Sequence, residues 1–204
     1  MTRDIPEISL QRLPVYLNYL KSLSGEDNKY ISSGAIAQAL GMGEVLVRKD
    51  LAYTSSAGRP KVGYVRTELI AALEDYLGCN QHKAAVLVGV GGLGRALLSY
   101  GGFVNYGIEI VEAYDSDPAK TGTEVAGKKI CPIEELEEGV RRFSPHLAIL
   151  AVPASAAQSV CDMLVKAGIK GILNFAPVQL KADENVVVRH IDVAASLAIL
   201  ASLL

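Results

Sequence analysis

Val86-Leu87-Val88-Gly89-Val90-Gly91-Gly92-Leu93-Gly94-Arg95-Ala96-Leu97-Leu98 decides how this 204-residue chain folds. It reads as a buried strand running into a glycine turn and then a helix. Gly89, Gly91 and Gly94 fall on the G-x-G-x-x-G spacing. In that pattern the first glycine makes the tight turn, the second lets a pyrophosphate approach the backbone, and the third lets helix and strand pack closely. Val90, Gly92 and Leu93 complete the loop, and the N-H groups opening the new helix would face the phosphates.

Spacing alone is weak evidence, so the flanking sequence matters. A second apolar run, Glu109 to Asp115, ends in a carboxylate about 25 residues past the first glycine, close to where a dinucleotide fold keeps its ribose ligand. Asp115 there would accept the adenosine ribose hydroxyls and repel a 2'-phosphate, which points to NADH and NAD+ rather than their phosphorylated forms. The plainer alternative is that Asp115 merely opens the turn Asp115-Ser116-Asp117-Pro118.

Downstream, Lys128 to Cys131 reads as a strand, Ile133 to Arg142 as a helix, and Leu147 to Val152 as a strand buried on both faces that Pro153 ends. A helix over Ala156 to Ala167 and strands over Gly171 to Phe175 and Val186 to Ile191 follow. Alternating strand and helix predicts an α/β domain with a Rossmann-type, doubly wound parallel sheet. Ligands on such sheets bind beyond the carboxyl ends of the strands. Val152, Pro153, Asn174, Phe175, Ala176 and Asp192 are therefore the candidates that shape the nicotinamide half of the site. Val193 to Leu204 is apolar nearly all round, which predicts a helix that must be buried, either in its own domain or against a partner subunit.

Upstream, Leu10, Leu13, Leu17, Leu20 and Leu23 recur at helical spacing, with Pro14 tolerable if the helix begins at about Leu13. A serine of Ile31-Ser32-Ser33 can cap a second helix carrying Ile36, Ala37 and Leu40. Gly41-Met42-Gly43 turns the chain into a third, Glu44 to Tyr53, with Val45, Val47, Leu51 and Ala52 available for packing. Two short helices about a glycine turn make a helix-turn-helix. Arg48 and Lys49 project from its second helix, which in DNA-binding proteins enters the major groove; a basic pair can also be only a solvated face.

Thr54 to Val65 reads as a hairpin wing. Residues 48 to 66 carry a net charge of +4, against -4 for the rest of the first 82 residues. That local concentration is the footprint of phosphate contact. Ser32, Ser33, Arg48, Lys49, Arg59 and Lys61 are the candidate contacts to double-stranded DNA. A helix from Glu68 to Gly78 leads to the polar stretch Asn80 to Lys83. The expected organisation is a winged helix domain over 1-80, a nucleotide-binding domain over 81-192 and a terminal helix over 193-204.

Half the residues are hydrophobic and the formal net charge is -2, so any attraction to a polyanion is local. Cys79, Cys131 and Cys161 are widely spaced and without neighbouring histidines, which argues against a disulfide framework or zinc site and for a reducing compartment. No apolar run is long enough to span a bilayer, and the start lacks the apolar core of a signal peptide. We expect a cytoplasmic protein with no metal and no membrane partner. His82, His146 and His190 are scattered, and no nucleophile elbow, zinc-protease motif or phosphate-loop lysine is present. These absences speak against an enzyme.

Taken together, Arg12-Leu13-Pro14, Val47-Arg48-Lys49-Asp50-Leu51-Ala52-Tyr53, the glycine loop, Tyr100-Gly101-Gly102-Phe103, Val152-Pro153, Lys170 to Pro177 and His190-Ile191-Asp192 resemble the Rex family of redox-sensing transcriptional repressors. The resemblance covers essentially the whole chain. It implies a homodimer of winged helix and Rossmann domains that leaves its operator when NADH rises relative to NAD+. It further implies that Arg48 and Lys49 read the operator while Arg59 and Lys61 approach phosphates or the minor groove. Tyr100 would lie near the nicotinamide. Asp192 would link to Tyr100 with NADH bound and to Arg12 on DNA, and the terminal helix would swap into the partner.

The chain departs from the family at Thr54-Ser55-Ser56-Ala57, where the family usually has an aromatic- and glycine-rich run between recognition helix and wing, and its wing reads Arg59-Pro60-Lys61-Val62-Gly63. This bears on operator sequence and leaves room for a divergent paralogue. Two other readings stay open: an NAD-dependent oxidoreductase, and a DNA-binding regulator answering to another adenine nucleotide such as coenzyme A.

Overall fold

The computed structural model describes residues 5-24, 29-54, 58-59 and 62-204. The chain divides into two compact units, Met1–Gln81 and His82–Leu204.

The first unit begins with α1 (Glu7–Leu10) and α2 (Leu13–Ser22). The leucine stripe is split between them. Pro14 cannot donate to a preceding turn and is accommodated only at the start of α2. Leu13, Leu17 and Leu20 are buried, and Leu10 lies at the surface. A two-residue strand β1 (Tyr30–Ile31) precedes α3 (Ser33–Leu40), whose N-terminus Ser32 caps by accepting the Ala35 N-H at 3.0 Å. Gly41, in the left-handed region at φ 64°, turns the chain into α4 (Glu44–Ala52). Val47 and Leu51 pack inward from α4, whereas Val45 and Ala52, expected to pack, are exposed.

Strand β2 (Tyr64–Val65) pairs antiparallel with β1, and α5 (Arg66–Leu77) ends at left-handed Gly78. Arg59 and Gly63 bridge the base of the wing turn.

In the second unit β3 (Lys83–Val88) leads through the glycine loop into α6 (Gly92–Leu98), a 3-10 segment Gly101–Tyr106 and β4 (Ile108–Asp115). A hairpin strand β5 (Glu124–Val125) and β6 (Lys128–Pro132) follow. A 3-10 turn Ile133–Glu135, α7 (Leu136–Phe143), β7 (Leu147–Leu150), α8 (Ala154–Ala167), β8 (Gly171–Asn174), β9 (Val187–His190) and α9 (Val193–Ala201) complete the order.

Among the described residues these strands form one seven-stranded sheet, β5-β6-β4-β3-β7-β8-β9. All neighbours run parallel except β5, which caps one edge antiparallel to β6. The order reverses between β4 and β7 on either side of β3, the switch point at which such sheets hold ligands.

The expected alternation of strand and helix fails at two parallel crossovers, β4 to β6, which passes through β5, and β8 to β9. Residues 175-186 pass from β8 to β9 as a strap without a helix. Side chains do the holding instead: Gln158 on α8 clamps the Lys181 backbone from both sides, at 2.8 and 2.9 Å.

The two faces of the sheet are filled unequally. On one, α7 and α8 cover Val86, Val88, Tyr114, Leu150 and Ile172. A register shift at Val111 turns Glu112 into this face beside Tyr114. There Glu112 accepts from the Tyr114 hydroxyl, the Cys131 thiol at 3.4 Å and Arg142 at 2.6 Å. The other face carries the short α6 and the 3-10 segment, with Leu98 and Phe103 packed at Leu87, Ala113 and Ile130. Beyond α6 it opens into an apolar groove of about 450 Å³ lined in part by Leu147, Ile149, Leu173 and Val187.

Candidate functional site

Two sites can be built from these elements, one in each unit. In the first, α3, the glycine turn and α4 form the helix-turn-helix. Val47 and Leu51 face the core, so Arg48 and Lys49 are left exposed on the outer side of α4. The acid beside them behaves differently. Asp50 is 1 % exposed, accepting Arg12 Nε at 2.6 Å, Arg12 Nη2 at 2.8 Å and the Tyr16 hydroxyl at 2.7 Å.

Burial works to raise the Asp50 carboxyl, but the hydrogen bonds from Arg12, Tyr16 and Ser9 outweigh it and hold it below the usual carboxylate range. Bonding to Asp50 raises the Arg12 guanidinium in turn. Asp50 thus subtracts little from the field of Arg48 and Lys49. Arg66, counted among the basic residues of this stretch, is turned inward, where it bonds the Leu23 carbonyl at the end of α2. It acts as a C-terminal helix cap rather than a phosphate contact.

Of the remaining candidates, Arg59 is exposed at the wing and Ser32 is exposed but occupied as a cap. Ser33 is buried with its hydroxyl 3.4 Å from Glu44, so it drops out as a DNA contact. Lys61 lies outside the described residues.

In the second unit the glycines divide the work the spacing assigns. Gly89 sits at φ 97°, and a Cβ there would fall 2.8 Å from the Val152 side chain and against the Ala151 carbonyl. A Cβ on Gly94 would strike the Gly89 carbonyl oxygen. Gly91 and Gly92, at the start of α6, have no atom within 4 Å of that position. Crowded glycines close the turn and open ones leave a cradle, the shape a pyrophosphate requires. Val90 is buried and Leu93 exposed.

Asp115 ends β4 beside this loop. Its Oδ2 accepts the Val90 N-H at 2.7 Å and the Lys120 ammonium at 3.1 Å, and its Oδ1 accepts the Asp117 N-H at 2.9 Å. Burial raises this carboxyl, and the bonds from Asp117, Val90 and Lys120 more than reverse that. Asp115 therefore opens a turn and braces the loop at once. A carboxylate has about four lone-pair sites, so about one remains for a ribose hydroxyl. Sequence reasoning missed Lys120 and Asp117 as members of this cluster; a cation five residues past the strand-end acid was the available signal.

At the strand ends beyond the loop, Val152 and Phe175 are half-buried and Pro153 is exposed. Asn174 is fully buried, its amide engaged by Ala176, Val178 and His190. It shapes the strap and presents its neighbours. Ala176, His190 and Asp192 line one small cavity. Asp192 caps α9, accepting the Ala195 N-H at 2.7 Å.

Tyr100 stands apart from these residues in the single chain. It stacks edge-on against Phe103 and lines a cavity with His82, Gly107 and Ile108, at the amino-terminal ends of β3 and β4. Within one chain it stands at the opposite end of the sheet from the glycine loop and from Asp192. Every residue from Val193 to Leu204, α9 included, is exposed in the single chain, so of the two expected settings its own domain does not supply the burial. Among the described residues no cluster of metal ligands occurs, and no helix is long and apolar enough to cross a membrane.

Comparison with known proteins agrees with both halves. Residues 4-52 match the family profile described as "Putative DNA-binding protein N-terminus", and residues 80-178 match the CoA binding domain. The redox-sensing transcriptional repressor Rex of Carboxydothermus hydrogenoformans is 43 % identical over 96 % of this chain and 94 % of its own length. That of Treponema denticola is 40 % identical over 94 % and 91 %.

The crystal structure of the repressor RSP with β-NAD+ and operator DNA superposes with a TM-score of 0.92 at 30 % identity, covering 98 % of this chain and 92 % of that one. RSP with β-NADH gives 0.88 at 29 % identity over 98 % and 94 %. A helix-turn-helix with an outward basic pair, a glycine cradle at a sheet's switch point, and near-full-length identity of this order lead to one assignment: the chain belongs to the Rex family of redox-sensing transcriptional repressors.

Proposed function

We propose that this protein is a cytoplasmic, NADH-responsive repressor that binds operator DNA as a homodimer and performs no chemistry on its ligand. The observation that carries the reading is the pairing, in one chain, of exposed Arg48 and Lys49 on α4 with the open cradle at Gly91 and Gly92. Arg48 and Lys49 read base edges in the major groove, while Arg59 and Lys61 contact phosphates or the minor groove.

Residues Gly89 to Gly94 hold the pyrophosphate and Asp115 the adenosine ribose. Val152, Pro153, Asn174, Phe175, Ala176 and Asp192 shape the nicotinamide end. Oxidised nicotinamide carries a positive charge that is costly beside apolar groups such as Val152 and Phe175, whereas the dihydronicotinamide is neutral. This favours NADH, and Asp192 opposes it unless it is engaged elsewhere.

The homodimer is supported by two exposed apolar surfaces in one unit, α9 and the groove on the α6 face. The position of Tyr100 also asks for a second copy. Tyr100 can approach a nicotinamide only from the partner, since it lies at the far end of its own sheet. The domain organisation follows as a winged helix over 1-80, the nucleotide domain over 81-192 and a helix over 193-204 that packs on the partner.

Fluorescence anisotropy on a palindromic Rex-type operator, at fixed salt, tests the reading. Tight binding abolished by NADH but not by NAD+ is expected. Binding indifferent to both nucleotides would sink it, and consumption of NADH with a carbonyl compound would favour the oxidoreductase.

A further inference from the structure

Lys120 stands where the loop after β4 folds back over the strand's end. Its ammonium lies 3.1 Å from Asp115 Oδ2 and 3.6 Å from Asp117 Oδ2, a cation held between two carboxylates. The two acids differ in what holds them. Asp115 is 7 % exposed and is bonded to the Val90 and Asp117 N-H groups, so moving it would unseat the glycine loop. Asp117 has a side chain 46 % exposed, with Oδ1 accepting the Ala119 N-H at 3.0 Å. The Lys120 side chain keeps 29 % of its surface.

In a dinucleotide-binding unit this strand end faces the adenosine ribose, and the discriminating group there is the 2'-substituent. A 2'-phosphate brings roughly -1.5 to -2 of charge at neutral pH, against none for a hydroxyl. Asp115, Asp117 and Lys120 together carry a single net negative charge, which disfavours the phosphate. The same three residues contain a cation on a flexible stem that could receive it. Which tendency wins depends on how firmly the exposed acid keeps Lys120 turned inward.

We propose that Lys120 is the specificity-determining residue of the nucleotide site: engaged by Asp115 and Asp117 it leaves the ribose end closed to a 2'-phosphate, and released from Asp117 it becomes the phosphate's receiver. The inference rests on the nucleotide reading of the glycine loop given above.

Calorimetric titration of the full chain with NADH and with NADPH tests it, using wild type, Asp117→Asn, and Asp117→Asn with Lys120→Met. Asparagine keeps the Oδ1 acceptor for Ala119 and removes only the charge. The NADPH-to-NADH affinity ratio is expected to rise at least tenfold in Asp117→Asn and to return to within threefold of wild type when Lys120→Met is added. A ratio that does not rise in the single variant, or stays raised in the double, overturns the assignment. Failure of the wild-type chain to bind NADH overturns the nucleotide reading instead.

Discussion

Four glycines between residues 89 and 94 look interchangeable in the sequence and are not interchangeable in the structure. At Gly91 the backbone has φ -78°, open to any residue, and no atom waits within 4 Å of a Cβ. Gly91→Ala should leave unfolding free energy within about 0.5 kcal/mol of wild type. Its methyl would occupy the cradle, so NADH affinity should fall at least tenfold; urea melts and nucleotide titration check the two halves. At Gly94 the added methyl meets the Gly89 carbonyl, backbone that cannot swing aside. Alanine gains about 1 kcal/mol of helix propensity there, and overpacking costs about 1–3 kcal/mol. With backbone as the obstacle the clash wins, and Gly94→Ala should be destabilised in the same melts.

At the scale of elements, the bond from Asp50 to Arg12 and Tyr16 pins α4 to the start of α2. Asp50→Asn should cost about 2–3 kcal/mol at pH 7, less than the loss for a fully buried pair because the Arg12 side chain keeps 17 % of its exposure. The sign with pH follows from the lowered carboxyl. Its contribution is complete above the unfolded value of about 4 and is lost as pH falls through the still lower folded one. The difference between wild type and variant, read by denaturant melts from pH 7 to 3, should therefore close on the acid side. Burial and the bond to Asp50 push the Tyr16 phenol up to about 12, so its own share fades only above about pH 10.

This tie was not legible in the sequence. Asp50 reads there as one acid diluting a basic run, and only tertiary packing supplies Arg12 from 38 residues away. The helices themselves were legible, because leucine spacing, the Ser32 cap and the glycine stops are local signals. The strap over residues 175-186 was not. A helix-less crossover is held by Gln158 and Asn174, neither of which advertises a partner in the chain. At the glycine loop the order of strand, turn, helix and acid sufficed. It does not show that the lone pairs of Asp115 are shared with Val90, Asp117 and Lys120, because coordination number is invisible in a list of residues.

For the whole molecule, α9 shows what a pattern can and cannot specify. An all-round apolar helix must be covered, but the same composition serves a chain's own core and a neighbour's. Here Val193, Leu197, Ile199 and Leu200 are each more than half exposed in the single chain. Burying such side chains is worth ~1.5–3 kcal/mol apiece, enough to outweigh part of the entropy lost on association. Leu197→Lys replaces an exposed side chain, so each subunit should fold as before. The dimer should dissociate at least a hundredfold more readily in light scattering, and half-operator spacing should lose its influence on binding.

An uncovered α9 also makes the number of molecules in the cell part of the signal. A regulator assembled from two copies loses its active form with the square of dilution once it falls below its dissociation constant, whatever the nucleotide present. The point at which a gene is released would then drift with expression of the regulator itself. Two cells at the same redox state but different copy number would answer differently.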